Sequence, residues 1–167
     1  MNYRWVNLGG VSLALSVLLT SCSKDSAELS GPYPVIKVTD GDTIQVLVNE
    51  EKVKVRIIGI DTPEIVSTTK PVQCYGPESS AFAEDQLSGT SVYLEYDESQ
   101  GVLDRYGRTL AHVWTEDKKL YAAEAILLGY GIEKTYGDEY KYREMFIDNQ
   151  SQARRQSLGL WGSCTPG

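Results

Sequence analysis

Four short stretches hold most of the side chains that could do chemistry. Asp40 and Asp42 flank Gly41 in "TDGDTIQV", and Arg56, Asp61 and Glu64 stand in "RIIGIDTPE". Arg105 and Arg108 bracket a Tyr-Gly turn in "DRYGRTLAHVW", and Tyr75-Gly76 opens "YGPESS". Carboxylates beside arginines suit two jobs. The acids can hold a hard, oxygen-liganded cation, and the planar guanidinium forks can grip phosphate oxygens. The chain has a single histidine, His112, so multi-histidine zinc sites and histidine-activated nucleophiles are poor starting points. Hydrolytic chemistry here has to run on carboxylates and oxygen-ligated metal.

Taken singly, each stretch has a plain structural reading. Gly41 between two aspartates is an ordinary Asx-type turn. An EF-hand fails, because counting Asp40 as position one places Ile44 and Gln45 where a ligand and a glycine belong. Asp61 and Glu64 could be solvated loop charges, and "DRYGR" a bare glycine turn. His112 shares a strand face with Leu110 and Trp114 and reads as a structural histidine.

The elements that must position these residues follow from periodicity. Ile44, Val46 and Val48 alternate with Gln45 and Leu47, "NEE" turns the chain, and Val53, Val55 and Ile57 alternate with Lys52, Lys54 and Arg56. Val92, Leu94 and Tyr96 repeat the signal, as do Leu110, His112 and Trp114. Pro63 lacks an amide donor and pushes Thr62 into an extended conformation, so pairing stops there and the acids stand at an open end of the sheet. Pro77 just inside the start and Gly89 just past the end mark a helix. Leu120, Ala123, Leu127 and Tyr130 are spaced for one face of a second. A third puts Tyr142, Met145, Phe146 and Ala153 inward and ends near Gly159-Leu160-Trp161. The economical arrangement is α+β: a five-stranded, strongly curled barrel with helices packed on it.

Composition sets limits on function. The 167 residues are 41% hydrophobic and 23% charged, which suits one globular domain. Lys and Arg total 16 against 23 Asp and Glu, a formal charge of -7. That balance argues against a broad basic face for nucleic acid and favours cation binding or locally concentrated positive charge. At the start, Arg4 precedes an apolar run from Val11 to Leu19, too short for a comfortable span and typical of a secretory signal. Leu19-Thr20-Ser21-Cys22 resembles a lipobox, which would make Cys22 the acylated N-terminus of a membrane-anchored envelope lipoprotein. An ordinary cleaved signal with an incidental cysteine is the alternative. This divides the chain into a signal at 1–22, a polar tether at 23–32 and a domain at 33–164. Cys74 and Cys164 remain, and an oxidising compartment favours their pairing over two free thiols.

Together and in this order, "DGDTI", "RIIGIDTPE", "YGPESSAF", "DRYGRTLAHVW" and "GLWG" resemble the staphylococcal-nuclease-like (thermonuclease) family, from about Pro34 to Trp161. The resemblance implies an OB-fold barrel with three helices and a Ca²⁺-dependent phosphodiesterase acting on DNA and RNA. It also implies Asp42 and Asp61 as metal ligands with the Thr62 carbonyl, and Arg56, Glu64 and Arg108 as the catalytic set. Tyr136 is the nearest match to the tyrosines that touch substrate. A monomer is expected. The rival expectation is a lipid-anchored OB-fold binding module without catalysis, for which at least one of Asp42, Arg56, Asp61, Glu64 and Arg108 should have drifted. A structural envelope lipoprotein is the blandest reading.

Overall fold

A computed structural model describes Met1 and residues 28–65 and 71–164. Residues 2–27, which hold nearly all of the expected signal segment, Cys22 and the first half of the expected tether, lie outside the described residues. Five strands close a barrel: β1 (Ser30–Asp40), β2 (Thr43–Val48), β3 (Glu51–Ile57), β5 (Ser91–Glu95) and β6 (Thr109–Trp114). The order around the barrel is β1-β2-β3-β6-β5, returning to β1. Only β3 and β6 run parallel; the other pairs are antiparallel. Among the described residues, closure pairs each barrel strand with a neighbour on both sides. A separate two-stranded ribbon joins β4 (Ile60–Asp61) to β7 (Ile132–Glu133).

The alternation in the sequence becomes the inside of this barrel. Ile44, Val46, Val55, Val92, Leu94, Ala111 and Val113 are fully buried, and Ile57 nearly so. β2 passes into β3 through Asn49 and Glu50, both at positive φ (48° and 68°). Two consecutive left-handed residues twist a two-residue turn in the same sense as the strands it joins. β1 begins at Ser30, which pairs with Leu94, so the last three residues read as tether form part of the barrel. Ser-Gly-Pro has linker composition, but β5 offers it a pairing partner that composition does not reveal.

Three helices pack on the barrel, α1 (Gly76–Leu87), α2 (Tyr121–Leu127) and α3 (Arg143–Arg155), followed by the single turn α4 (Leu160–Ser163). α1 buries Ser79, Ala83 and Leu87, and its Phe82 stacks on Tyr130 with ring centroids 4.2 Å apart. α2 differs from expectation. It buries Tyr121, Ala122, Ala125 and Ile126, while Ala123, Leu127 and Tyr130 are only half-buried. The orientation is fixed partly by a polar contact, the Tyr121 hydroxyl donating to the Gly41 carbonyl at 2.8 Å, which hydropathy spacing cannot register. On α3, Phe146 and Ala153 are buried as expected, but Met145 is exposed because one residue of rotation carries it to the rim. Gly59 (φ 81°) lets the aromatic rings close over the barrel end, since a Cβ there would meet the Tyr140 ring at 2.6 Å. Cys74, before α1, is disulfide-bonded to Cys164 at the end of α4, with Cα atoms 5.9 Å apart.

His112 lies under α3, fully buried, edge-on to Tyr142 and 3.5 Å from an Asp97 carboxylate oxygen. Its charged neighbours are Glu95, Asp97 and Lys141.

Candidate active site

Asp42 occupies the turn from β1 to β2. Its amide donates to the Asp40 carboxylate (3.1 Å), the Asx turn expected from Asp-Gly-Asp. Gly41 is required by crowding: a Cβ there would come within 2.9 Å of three Thr62 side-chain atoms. The turn therefore presses against the end of β4. Thr62 N donates to Asp42 Oδ2 (3.2 Å), and Thr43 Oγ1 donates to Asp42 Oδ1 (2.9 Å). The structural and functional readings of "DGDT" thus describe the same turn.

Arg56, at the same end of β3, has a nearly buried side chain. Its Nη1 donates to the carbonyls of Ile57 (2.6 Å) and Ile60 (2.7 Å), which anchors the turn between β3 and β4. Its Nη2 faces Asp42 Oδ2 at 3.1 Å and Asp61 Oδ1 at 3.3 Å. Asp61 also accepts from the Tyr136 hydroxyl (3.2 Å), and the Tyr136 ring lies 5.7 Å from the Arg56 guanidinium carbon. The ribbon of β4 with β7 carries this tyrosine to the site.

Arg108 approaches from the other side. Asp104, four residues earlier, accepts from Arg108 Nε (2.7 Å) and from the backbone amides of Arg108 (2.9 Å) and Tyr106 (2.8 Å). One carboxylate thereby shapes the turn and aims the arginine. Arg108 Nη1 reaches Thr43 Oγ1 (3.4 Å), the hydroxyl already bonded to Asp42.

Electrostatics ties Glu64 to the same place. Its side chain is exposed, yet partial desolvation, and then the negative charges of Asp42 and Asp61, push its carboxyl above the usual range against the pull of Arg56 and Arg108. Asp42, Arg56 and Asp61 are thus in direct contact, Arg108 joins them through Thr43, and Glu64 stands near enough to feel the charges of all four. Asp42 is raised further, to about 6: burial outweighs the attraction of Arg56, and Asp40 adds to the repulsion. An open cleft of about 550 Å³ adjoins the cluster, lined by Arg56, Gly59, Arg105, Tyr106, Arg108 and Tyr136 among others. Tyr106 and Tyr136 are both largely exposed beside it.

Residues 54–163 match the family model described as staphylococcal nuclease homologue. The chain belongs to this family. Among relatives of this staphylococcal nuclease homologue, the thermonuclease of Staphylococcus hyicus is 38% identical over 157 residues, covering 92% of this chain and 91% of that one. The thermonuclease of Staphylococcus intermedius is 38% identical over 139 residues, covering 83% and 81%. Endonuclease YncB of Bacillus subtilis (strain 168) is 31% identical over 128 residues, covering 75% and 59%.

Sequence alone assigns no role to Asp104, Thr43 or Tyr106. Asp104 had a local signal, since Asp before a glycine turn accepts nearby backbone amides. Thr43 had none, because its contact with Arg108 exists only once β2 and the Arg108 turn are side by side.

For a metal, the donor set is a pair. Among the described residues no three His, Cys, Asp or Glu side chains converge as a ligand cluster. Asp42 and Asp61 approach the same guanidinium nitrogen, so both flank one small volume. The chemistry fits a hard cation: a buried carboxylate that one arginine leaves under-compensated gains most from added positive charge.

Proposed function

We propose that this staphylococcal nuclease homologue, a hydrolase of phosphodiester bonds, is a Ca²⁺-dependent nuclease. It cuts DNA, RNA or both, as a monomer anchored in the cell envelope through lipid on Cys22. The observation that carries the reading is the convergence of Asp42, Arg56, Asp61, Glu64 and Arg108 beside an open cleft. Asp42 and Asp61 would hold the ion, with the Thr62 carbonyl. Bound there, calcium supplies Lewis-acid charge to the phosphate oxygens.

The chain's own groups do the rest. Glu64 is solvent-accessible, so it can orient the attacking water and take its proton, help worth ~10²–10⁴-fold. Its raised pKa strengthens it as a base. Arg108, with Nε held by Asp104, offers its terminal nitrogens to the non-bridging oxygens, and such bonds tighten as charge develops on them. Arg56 donates to Ile57 O, Ile60 O, Asp61 and the Tyr136 hydroxyl and is ion-paired with Asp42, so it fixes the acids first and grips phosphate second. Tyr136 and Tyr106 flank the cleft where a nucleotide would lie. Phosphate affinity is then local, which accommodates a chain of charge -7.

The anchor rests on Leu19-Thr20-Ser21-Cys22 following a short apolar run. Incorporation of labelled fatty acid that disappears in Cys22→Ser tests it. The activity test is digestion of single-stranded DNA by the purified protein, first in calcium and then in chelator. Cleavage that stops in chelator supports the reading. Calcium-independent binding without cleavage replaces it with the OB-fold binding module.

A further inference from the structure

Glu64 stands apart from the rigid centre beside it. It follows Pro63, outside any strand, and its side chain is exposed. Its main chain is nevertheless held at both polar atoms by one residue. Gln73 Oε1 accepts from Glu64 N at 2.8 Å, and Gln73 N donates to Glu64 O at 3.0 Å. These reciprocal bonds tie Glu64 and Gln73 together through their backbones and the Gln73 amide oxygen. Gly76 then fits against the same carbonyl, where a Cβ would meet Glu64 O at 2.8 Å, and its amide donates to Gln73 O at 3.0 Å.

The next residue after Gln73 is Cys74, bonded to Cys164. Cys164 N donates to Leu160 O (3.0 Å), and Leu160 N donates to Gly129 O (2.9 Å), beyond the end of α2. A path of covalent and hydrogen bonds thus runs from the packed C-terminal helices to the residue that holds Glu64.

We propose that Gln73 is a positioning residue for Glu64, and that the Cys74–Cys164 bridge keeps Gln73 in place, so that turnover depends on the oxidation state of that pair. The proposal rests on the catalytic role of Glu64 given above. A base must stay within hydrogen-bond reach of the water it activates, and displacement by about 1 Å costs on the order of 10²-fold. Cys74 is exposed, so the bridge is open to reductant.

The test uses the full chain and its Gln73→Met, Gln73→Glu and Cys74→Ser/Cys164→Ser variants, with kcat, KM and melting temperature read for each. Gln73→Met keeps the side-chain length but removes the acceptor. It should lower kcat by about 10- to 100-fold with KM and melting temperature unchanged. Gln73→Glu restores an acceptor at the same reach and should recover most of the loss. The serine pair should melt lower and also turn over more slowly well below its melting temperature. Adding Gln73→Met to that background should cost little more, because both changes act on one contact. Wild-type kcat in Gln73→Met, a loss confined to KM or melting, no recovery with glutamate, or full kcat in the serine pair would each overturn the proposal. An inactive Glu64→Gln beside a fully active Gln73→Met removes the clamp alone. A fully active Glu64→Gln removes the catalytic reading, and the clamp with it.

Discussion

Two buried carboxylates in this protein have similar neighbours and opposite balances. Glu95, under α3, is 3% exposed and receives Lys141 Nζ (2.7 Å), Trp114 Nε1 (2.7 Å) and the Tyr142 hydroxyl (2.8 and 3.0 Å). Burial pushes it up, but these bonds together outweigh burial and hold its carboxyl below the usual range. Asp42, at the barrel mouth, is 7% exposed and also has a cation and two hydrogen-bond donors, yet burial prevails and raises it to about 6. The difference lies in the surrounding charge. Glu95 faces a lysine whose amine sits on it, whereas Asp42 shares one arginine with Asp61 and has Asp40 close by. A satisfied carboxylate is a structural one. A carboxylate left short of positive charge is poised for a ligand that brings it.

The largest expected effect separates chemistry from folding. Glu64→Gln should reduce cleavage by ~10²-fold or more while shifting stability within about 1 kcal/mol, since the side chain is exposed. Parallel rate and melting measurements check this; wild-type turnover in the folded variant would end the enzyme reading of the mouth. Next come the two arginines. Arg56→Lys loses the fork that ties two carbonyls and two carboxylates together, so it should destabilise by about 3 kcal/mol as well as abolish activity. Arg108→Lys should lower the rate with a much smaller fall in melting temperature.

A third contrast addresses the carboxylates directly. At pH 7, Glu95→Gln should cost about 2 kcal/mol or more, because it leaves Lys141 and its companions short of an acceptor charge. Asp42→Asn should melt no lower than wild type when calcium is absent. Added Ca²⁺ should raise the wild-type melting temperature, by about 2.7 kcal/mol of stability at 100 times Kd, and leave Asp42→Asn unmoved. Equal calcium shifts in both proteins would remove Asp42 from the ligand set. Mg²⁺ should substitute poorly, because a loose two-carboxylate site suits the larger ion.

The smallest effect is on pH. Burial holds His112 below its ordinary 6.5, against the raising effect of Asp97 and Glu95. The unfolded chain therefore takes up this proton first. The contribution of His112 to stability is complete above pH 6.5 and is lost as pH falls towards its folded value. Melting curves collected downwards from pH 7 should show that slope, and His112→Gln should flatten it.

Much of the arrangement at the barrel mouth is legible in the sequence, because it is written in local rules. Alternation placed the strands, Pro63 ended one of them, and the Asp-Gly-Asp turn put an acid at its mouth. The resemblance then named five residues, and the structure brings those five together. The inner face of α2 was not legible, because a seven-residue helix packed on two sides has no single apolar stripe. Nor was the support of Arg108 by Asp104, or of Glu64 by Gln73, since a hydrogen-bond partner depends on where two loops come to rest.

The sequence by itself determined the barrel, the turn chemistry, the preference of Cys74 and Cys164 for each other and the residue types of the site. Strands and turns follow from the neighbours of a residue along the chain, and the cysteine pairing from there being two cysteines left besides Cys22. The tertiary structure alone decided which acid is left short of positive charge and which is satisfied. Asp42 takes an amide from Thr62, 20 residues away, its turn takes a hydroxyl from Tyr121, 80 residues from Gly41, and Glu95 is held by Lys141, 46 residues on. Desolvation and charge act through space over a few ångströms, so their balance exists only after distant segments have been packed side by side.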